Sequence, residues 1–492
     1  MNSSLTYKTL RVTLYLNLLS ILFADERLYL KQAKTLENKT IKGQSIKFIS
    51  GDVIFTKGDL ILNCEKGRHY EKTELAVLFK NVSAIQEQRI LTCDTIKFFS
   101  KEDRLLSIGS SHVWDQDYDL KADSITVFTE QDSGVALGNV ILNQKGQIIK
   151  ANRIEYQKDK EQDGVSYTAI GNVIIEDSSR TANCGKARYD RKNEVTTLEI
   201  NPIINENDRV LSGSKIILQY NEEELDRLHI PKQALAITPI EGYQESIVDS
   251  LKTGDTLRFK DRMEGSQLTS YFKNGNLDSL RIVGMAKTLY HVFEDSIYQG
   301  KNNASGDTII MMFLEDELDV LKVIGGSEGK YIPDSISNDV NQPIIYSANY
   351  IKYRLKDDES DFEGKVKIKH DRTDLDAGFV SVNWQNNLLN ALPRLASDTI
   401  SEPLYPVIKE DGRDPMTGDA MIYNLKTRKG KITKGQTKAD DGYYTGRKIR
   451  NESQKVIFIE NSTYTTCDLD TAHFHFESKK MKIIQNDIVV AR

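Results

Sequence analysis

Four cysteines, seven histidines and 72 acidic side chains are spread over 492 residues, and their spacing decides which chemistry is open to them. His473 and His475 alternate with Phe474 and Phe476. A strand there would put both imidazoles on one face, but a metal centre needs further ligands and none stands at a recognisable spacing. Asp94 and Asp123 resemble the paired carboxylates of a glycoside-cleaving site. They recur at one position of a repeat, however, and turn-capping accounts for them better. The chain has no Walker-type glycine loop. No catalytic group, cofactor or metal is expected. Acidic residues exceed the 66 basic ones, for a net charge of −6, so no basic field awaits a phosphate backbone and nucleic acid is not an expected partner.

The elements that would position these side chains come from one repeating pattern: an aliphatic residue, a small residue, an acidic or polar one, then two apolar residues separated by one. It reads Leu62-x-Cys64-Glu65, Leu91-x-Cys93-Asp94-x-Ile96-x-Phe98 and Leu120-x-Ala122-Asp123-x-Ile125-x-Val127. It continues as Ile149-x-Ala151-Asn152-x-Ile154-x-Tyr156, Ala182-x-Cys184-Gly185-x-Ala187-x-Tyr189 and Leu211-x-Gly213-Ser214-x-Ile216-x-Leu218. The small positions step by 29, 29, 29, 33 and 29 residues. Eleven residues before most of them stands a valine: Val53, Val82, Val140 and Val173. Cys64, Cys93 and Cys184 occupy a slot held elsewhere by alanine or glycine, which makes them small core residues, although a Cys64 to Cys93 bridge between neighbouring rungs is conceivable.

Each unit reads as two short strands and two turns. The pairs Leu120/Ala122 and Ile125/Val127 are out of phase, which predicts a bulge or corner at the acidic position. The longer step places its four extra residues in 157–164, where a longer hairpin loop is predicted. Further copies begin at Gly254, Gly306, Ala348, Ala377 and Gly418, so that about eleven rungs are expected. Prolines 231, 239, 333, 343, 393, 403, 406 and 415 mark breaks between them. A helical turn or two is predicted over Glu222 to Leu228. The expected fold is all-β: an elongated antiparallel jelly-roll solenoid rather than a parallel β-helix with three strands per coil. Residues 25–228 form its regular part, 229–392 a second, irregular part, and 393–492 a C-terminal β module.

At the N-terminus, Lys8 and Arg11 precede an apolar run from Val12 to Ala24, followed by Asp25 and Glu26. The run is too short to span a bilayer as a helix and reads as a signal peptide over 1–24, with a short membrane anchor as the alternative.

The Gly-Asn-Val units followed eleven residues on by Ala-Asp or Ala-Asn and Ile-x-Tyr resemble the organic-solvent-tolerance (OstA) family. It includes the periplasmic lipopolysaccharide-transport protein LptA and the N-terminal periplasmic part of the outer-membrane assembly protein LptD. The tail resembles the LptD branch through Thr417-Gly418-Asp419, Asp441-Gly442-Tyr443-Tyr444, Tyr464-Thr465-Thr466-Cys467-Asp468 and Ser478-Lys479-Lys480-Met481. The transmembrane barrel of that branch is not in this sequence. The resemblance implies lipopolysaccharide binding and transport across the periplasm. It also implies association with the outer membrane, and as partners an outer-membrane β-barrel and other OstA/LptA-type modules joined by edge strands. The acyl chains would lie against Val82, Leu91, Leu120, Ile125, Val140, Ile149, Ile154, Val173, Leu211 and Ile216. It further implies that Cys467 is the candidate for a disulfide to the barrel. Read without that resemblance, the same residues fit a sealed core in a structural β-solenoid, and an acidic cluster on an exposed sheet would instead mark a carbohydrate-active β-helix enzyme.

Overall fold

A computed structural model describes residues 28–492 apart from 117, 129–132, 145, 160–163, 178–179, 207–208, 222–223, 244–255, 275, 295, 316, 337–341, 395–402, 413, 440–441, 454–455, 470 and 485–486. The predicted signal peptide lies outside the described residues. Among those described there are strands and turns and no helix. Among the described residues, the strands that ladder in register do so antiparallel, and Tyr243 bridges Ile297 in parallel. The rival architecture of three parallel strands per coil is not what this sequence builds.

The described chain divides into two compact units, residues 28–234 with 271–276 and residues 235–270 with 277–492. The N-terminal unit contains β1 (Tyr29–Gln32), β2 (Thr35–Ile41), β3 (Gln44–Lys57), β4 (Leu60–Tyr70), β5 (Leu75–Gln86), β6 (Arg89–Phe99), β7 (Arg104–Trp114), β8 (Tyr118–Phe128) and β9 (Ser133–Gln144). It continues with β10 (Gln147–Asp159), β11 (Gly164–Glu176), β12 (Arg180–Asp190), β13 (Val195–Glu199), β14 (Ile203–Glu206), β15 (Arg209–Ser212), β16 (Lys215–Asn221) and β17 (Glu224–Ile230). From β3 to β12 each strand pairs with the next, so one 29-residue step is one ascending and one descending strand.

The eleven-residue spacing is hairpin register. Val53 faces Cys64 across the ladder, Val82 faces Cys93, Val140 faces Ala151 and Val173 faces Cys184. The rung that lacks the valine puts Ser111 opposite Ala122. Ser111 is buried and accepts a hydrogen bond from the Ser107 hydroxyl at 2.8 Å, which satisfies a polar pair inside the sheet.

Where the sequence changes phase, the ladder slips: β8 shifts register between Lys121 and Ser124, and β10 between Ala151 and Arg153. Leu120, Ala122, Ile125 and Val127 are all buried, while Asp123 between them is exposed. The slip flips which alternate residues point inward, so both halves of a strand keep an apolar inner face. The 33-residue step differs from expectation. Its extra residues extend the ladder between β10 and β11, pairing Gln157 with Ser166, Lys158 with Val165 and Asp159 with Gly164.

The second unit holds β18 (Ala234–Tyr243), β19 (Thr256–Gly265), part of β20 (Gln267–Lys273), β21 (Asn276–Glu294), β22 (Ile297–Leu314), β23 (Glu317–Pro333), β24 (Ile344–Arg354), β25 (Glu359–His370), β26 (Thr373–Asn383) and β27 (Leu388–Leu392). It ends with β28 (Val407–Glu410), β29 (Met416–Thr417), β30 (Ala420–Asn424), β31 (Gly430–Ala439), β32 (Gly442–Ser453), β33 (Val456–Thr465), β34 (Phe476–Ile484) and β35 (Ile488–Ala491). Most of the marked prolines flank strands; Pro239 lies inside β18 and Pro333 is the last residue of β23.

The helical turn expected over Glu222 to Leu228 is not there. Residues 224–230 are β17, laddered on β16 with Leu225, Leu228 and Ile230 buried. Glutamate-rich helix propensity is worth a few tenths of a kcal/mol per residue, and a ladder plus three buried aliphatic side chains outweighs it.

Candidate functional site: a lined interior with a repeated corner

The two halves of each strand face one another across a shared interior. Ile149 and Ile175, on one side of their corners, and Ile154, Tyr167, Ala169, Ala187, Tyr189 and Thr196 line a single space of about 20 Å³. A Cβ added to Gly67, beyond the corner of β4, would meet the ring of Phe55 at 3.7 Å. Phe55 lies before that corner on the ladder, so side chains from the two arms touch.

Of the residues proposed to line a lipid path, Val82, Leu91, Leu120, Ile125, Val140, Ile149, Ile154, Val173 and Ile216 are at most 6% exposed. Leu211 differs, lying half-buried on β15 opposite Ile204. The space beside Ile149 and Ile154 has room for about one water molecule, so these residues pack closely in this conformation.

The corner is the same device at rung after rung. Gly109, Gly138, Gly171, Gly325 and Gly364 all have φ between +77° and +81° or close to it. The Asp94, Asp123, Asn152, Asp307 and Asn349 side chains lie where a Cβ on each of those glycines would stand. Asn139, also at positive φ, donates from Nδ2 to Asp123 Oδ2 at 3.2 Å. The carboxylates that might have been a catalytic pair are exposed covers over successive corners. Left-handed backbone is open to glycine and tolerated by Asn, which explains the Gly-Asn-Val signature.

Burial disfavours the thiolate and pushes each of the Cys64, Cys93 and Cys184 thiols up to about 11. All three are unbridged, so the conceivable Cys64 to Cys93 disulfide is not formed. Cys467 is also unbridged and half-exposed, with Sγ 3.6 Å from His473 Nδ1. His473 and His475 were expected to share a strand face. Instead they precede β34, and His475 turns to Glu477 at 3.2 Å while His473 meets the cysteine. Among the described residues no group of three or more His, Cys, Asp or Glu could hold a metal ion.

Sequence reasoning missed two buried polar clusters in the C-terminal unit. The Tyr353 hydroxyl donates to that of Tyr346 at 2.8 Å, and Tyr346 donates to Asn302 Oδ1 at 2.7 Å. Burial pushes both phenols well above their ordinary value. Asp261 Oδ1 accepts from the His291 backbone N–H at 2.9 Å and meets its Nδ1 at 2.8 Å, and burial raises the Asp261 carboxyl despite that partner. Phe259 stacks on the imidazole at 4.3 Å. The tyrosines occupy apolar slots of the repeat, so nothing in the pattern separates their hydroxyls from a plain aromatic core.

No curated protein matches this chain. Among solved structures it is similar to LptH, the LptA-homologous periplasmic component of the lipopolysaccharide transport device of Pseudomonas aeruginosa. The identity is 16% and the TM-score 0.20, over 29% of this chain and 94% of that one. The family described as LptA/(LptD N-terminal domain) LPS transport protein matches residues 119–224. That segment, from β8 to the start of β17, carries four successive small positions, Ala122, Ala151, Cys184 and Gly213, and the two Gly-Asn-Val corners. It is over residues 119–224 that this chain resembles the LptA/LptD N-terminal family of lipopolysaccharide-transport proteins.

Proposed function

We propose that the protein takes part in moving lipopolysaccharide across the periplasm, holding the acyl chains between the two arms of its folded strands. The carrying observation is the family match over 119–224, which includes the corners at Gly138 and Gly171. The physical need is clear: a chain exposed to water costs about 0.8 kcal/mol per methylene, so on the order of 10 kcal/mol for twelve carbons. Apolar contact is non-directional, so a chain can pass from rung to rung without breaking a specific bond, and no catalytic group is required.

The closed interior sets the form of binding. Acyl chains enter by parting the arms, and the slipped register at each corner means the two arms carry separate hydrogen-bond ladders. Parting them exchanges side-chain contacts for chain contacts and leaves the ladders whole. The reading includes export to the periplasm, end-to-end joining to similar modules through edge strands, and an outer-membrane barrel as partner. The test is photo-crosslinking in cells from Ile125, Val140 and Ile154, with exposed Lys121 as control. Lipopolysaccharide adducts at the three inward sites and none at Lys121 are expected. Their absence, under conditions where a known transport protein crosslinks, overturns the reading.

A further inference from the structure

The C-terminal unit has a trough on the outer face of its sheet, with a volume of about 870 Å³. Two cross-strand rows of side chains line it, and the register places them. One row runs Arg262, Leu289, Asn303, Lys330, Ile345, Lys369, Asp374 and Lys409, each directly opposite the next. The second runs Glu264, Lys287, Ser305, Glu328, Ser347, Lys367 and Asp376. The residues between the rows, such as Thr288, Ala304, Ile368 and Leu375, point the other way and are buried. The trough therefore belongs to the solvent side of the sheet, opposite the apolar interior.

Its charges are only partly matched. Arg262 pairs with Glu264 at 2.7 Å, Lys369 with Asp374 at 3.4 Å and Lys409 with Asp376 at 3.4 Å. Lys287, Lys330 and Lys367 are exposed and make no ion pair among the described residues. They sit on β21, β23 and β25, two strands apart each time, with Lys330 in the first row and Lys287 and Lys367 in the second, so successive lysine backbones lie roughly 12 Å apart. Around them stand Asn303, Ser305 and Ser347 and the unpaired carboxylate of Glu328. In a protein of net charge −6, this surface alone carries six basic against four acidic side chains.

We infer that the trough binds a phosphorylated saccharide, the hydrophilic portion of the same lipid assigned above. The assignment of the ligand rests on that proposed function, while the chemistry rests on the lining. Unpaired lysines match phosphate groups as point charges, and amides, hydroxyls and carboxylates match sugar hydroxyls. The four carboxylates would repel a uniform polyanion such as nucleic acid, so the surface selects a ligand with dispersed charge and many hydroxyls. The volume lies within the range of small-ligand sites and has room for several sugar rings.

The test uses the full chain and isothermal titration with the phosphorylated oligosaccharide freed from lipopolysaccharide by complete deacylation. The same saccharide after phosphatase treatment and inorganic phosphate alone are the other arms. The Lys287→Gln, Lys330→Gln and Lys367→Gln triple variant should bind the phosphorylated saccharide at least about tenfold more weakly, a loss of 1.4 kcal/mol. Lys72→Gln, an exposed change outside the trough, should leave binding intact, and circular dichroism checks that both variants fold. Equal binding of the two saccharides, an unchanged triple variant, or full affinity from inorganic phosphate alone overturns the inference. Saccharide binding that survives while Ile125, Val140 and Ile154 fail to crosslink would count against the interior path and not against the trough. Crosslinking without saccharide binding would do the reverse.

Discussion

Replacing Gly138 by alanine tests whether the corner is what makes the sandwich. Gly138 has φ +76°, and its missing Cβ would fall on the Asp123 carboxylate. Two costs follow. Left-handed backbone costs an alanine about 1–2 kcal/mol. Displacing Asp123 also removes the hydrogen bond from Asn139, worth about 0.5–1.5 kcal/mol. The sum is about 1.5–3.5 kcal/mol. Gly43 separates the two costs, because it has the same φ of +76° and nothing within 4 Å of its added Cβ, so Gly43→Ala should show the backbone part alone. The two tryptophans, Trp114 and Trp384, lie in different units. In a Trp384→Phe background, urea unfolding followed by Trp114 emission therefore reports the unit that contains both glycines. In an Asp123→Gly background, where that hydrogen bond is already absent, Gly138→Ala should cost no more than Gly43→Ala. If Gly138→Ala costs no more than Gly43→Ala, the acidic position does not cover the corner and the explanation of the repeat is wrong.

Other consequences can be checked on the same protein. Thr196 lines the interior, is 1% exposed, and its hydroxyl has no hydrogen-bond partner. Thr196→Val keeps the shape and should raise the urea midpoint, by about 1 kcal/mol in stability; a lowered midpoint would mean the hydroxyl has an unseen partner. In native protein at pH 8, a thiol reagent should label Cys467 quickly and leave Cys64, Cys93 and Cys184 untouched, because burial holds those three thiols protonated up to about 11. Rapid labelling of more than one thiol contradicts that packing. His370 is buried, and burial first, then the Arg428 charge, hold its imidazole below the ordinary value, with Asp371 opposing. As pH falls below about 6.5 the unfolded chain takes up the proton before the folded one does, so stability is complete above that pH and declines below it. Followed by Trp384 emission in a Trp114→Phe background, the midpoint should fall from pH 7.5 to 5.5, and His370→Leu should flatten the fall. An unchanged slope would show that His370 is not the group responsible.

The fold was legible because its logic is local and periodic. Val140 and Ala151 are eleven apart since they face each other in a hairpin, and Asp123 marks a phase change since it covers a bend. Such relations are written in sequence spacing and need no long-range information. What the pattern did not carry was chemistry that depends on which distant strand lies alongside. The link from Tyr346 to Asn302 spans 44 residues and that from His291 to Asp261 spans 30, and neither is a repeat interval. The trough was hidden for a similar reason: its lysines sit at ordinary outward positions on separate strands, and only the register brings them to one face. Residues 224–230 misled because Glu and Leu favour a helix locally while the neighbouring strand offered an open edge.

A closed interior and a transport role are reconciled by where the bonds are. Within each arm, strands are joined by backbone ladders, and the ladders slip at the corner on strand after strand. Between arms the contacts are apolar: Ile149 and Ile175 against Ile154, Tyr167 and Ala187. Separating the arms by the width of one hydrocarbon chain exposes nothing to water if a chain takes the space, since side chains trade one apolar neighbour for another. An empty opening has no such compensation, and dispersion contacts are lost outright when the gap is unfilled. Under the proposed function, the corner that fixes the repeat would let the arms part around an acyl chain without breaking a ladder.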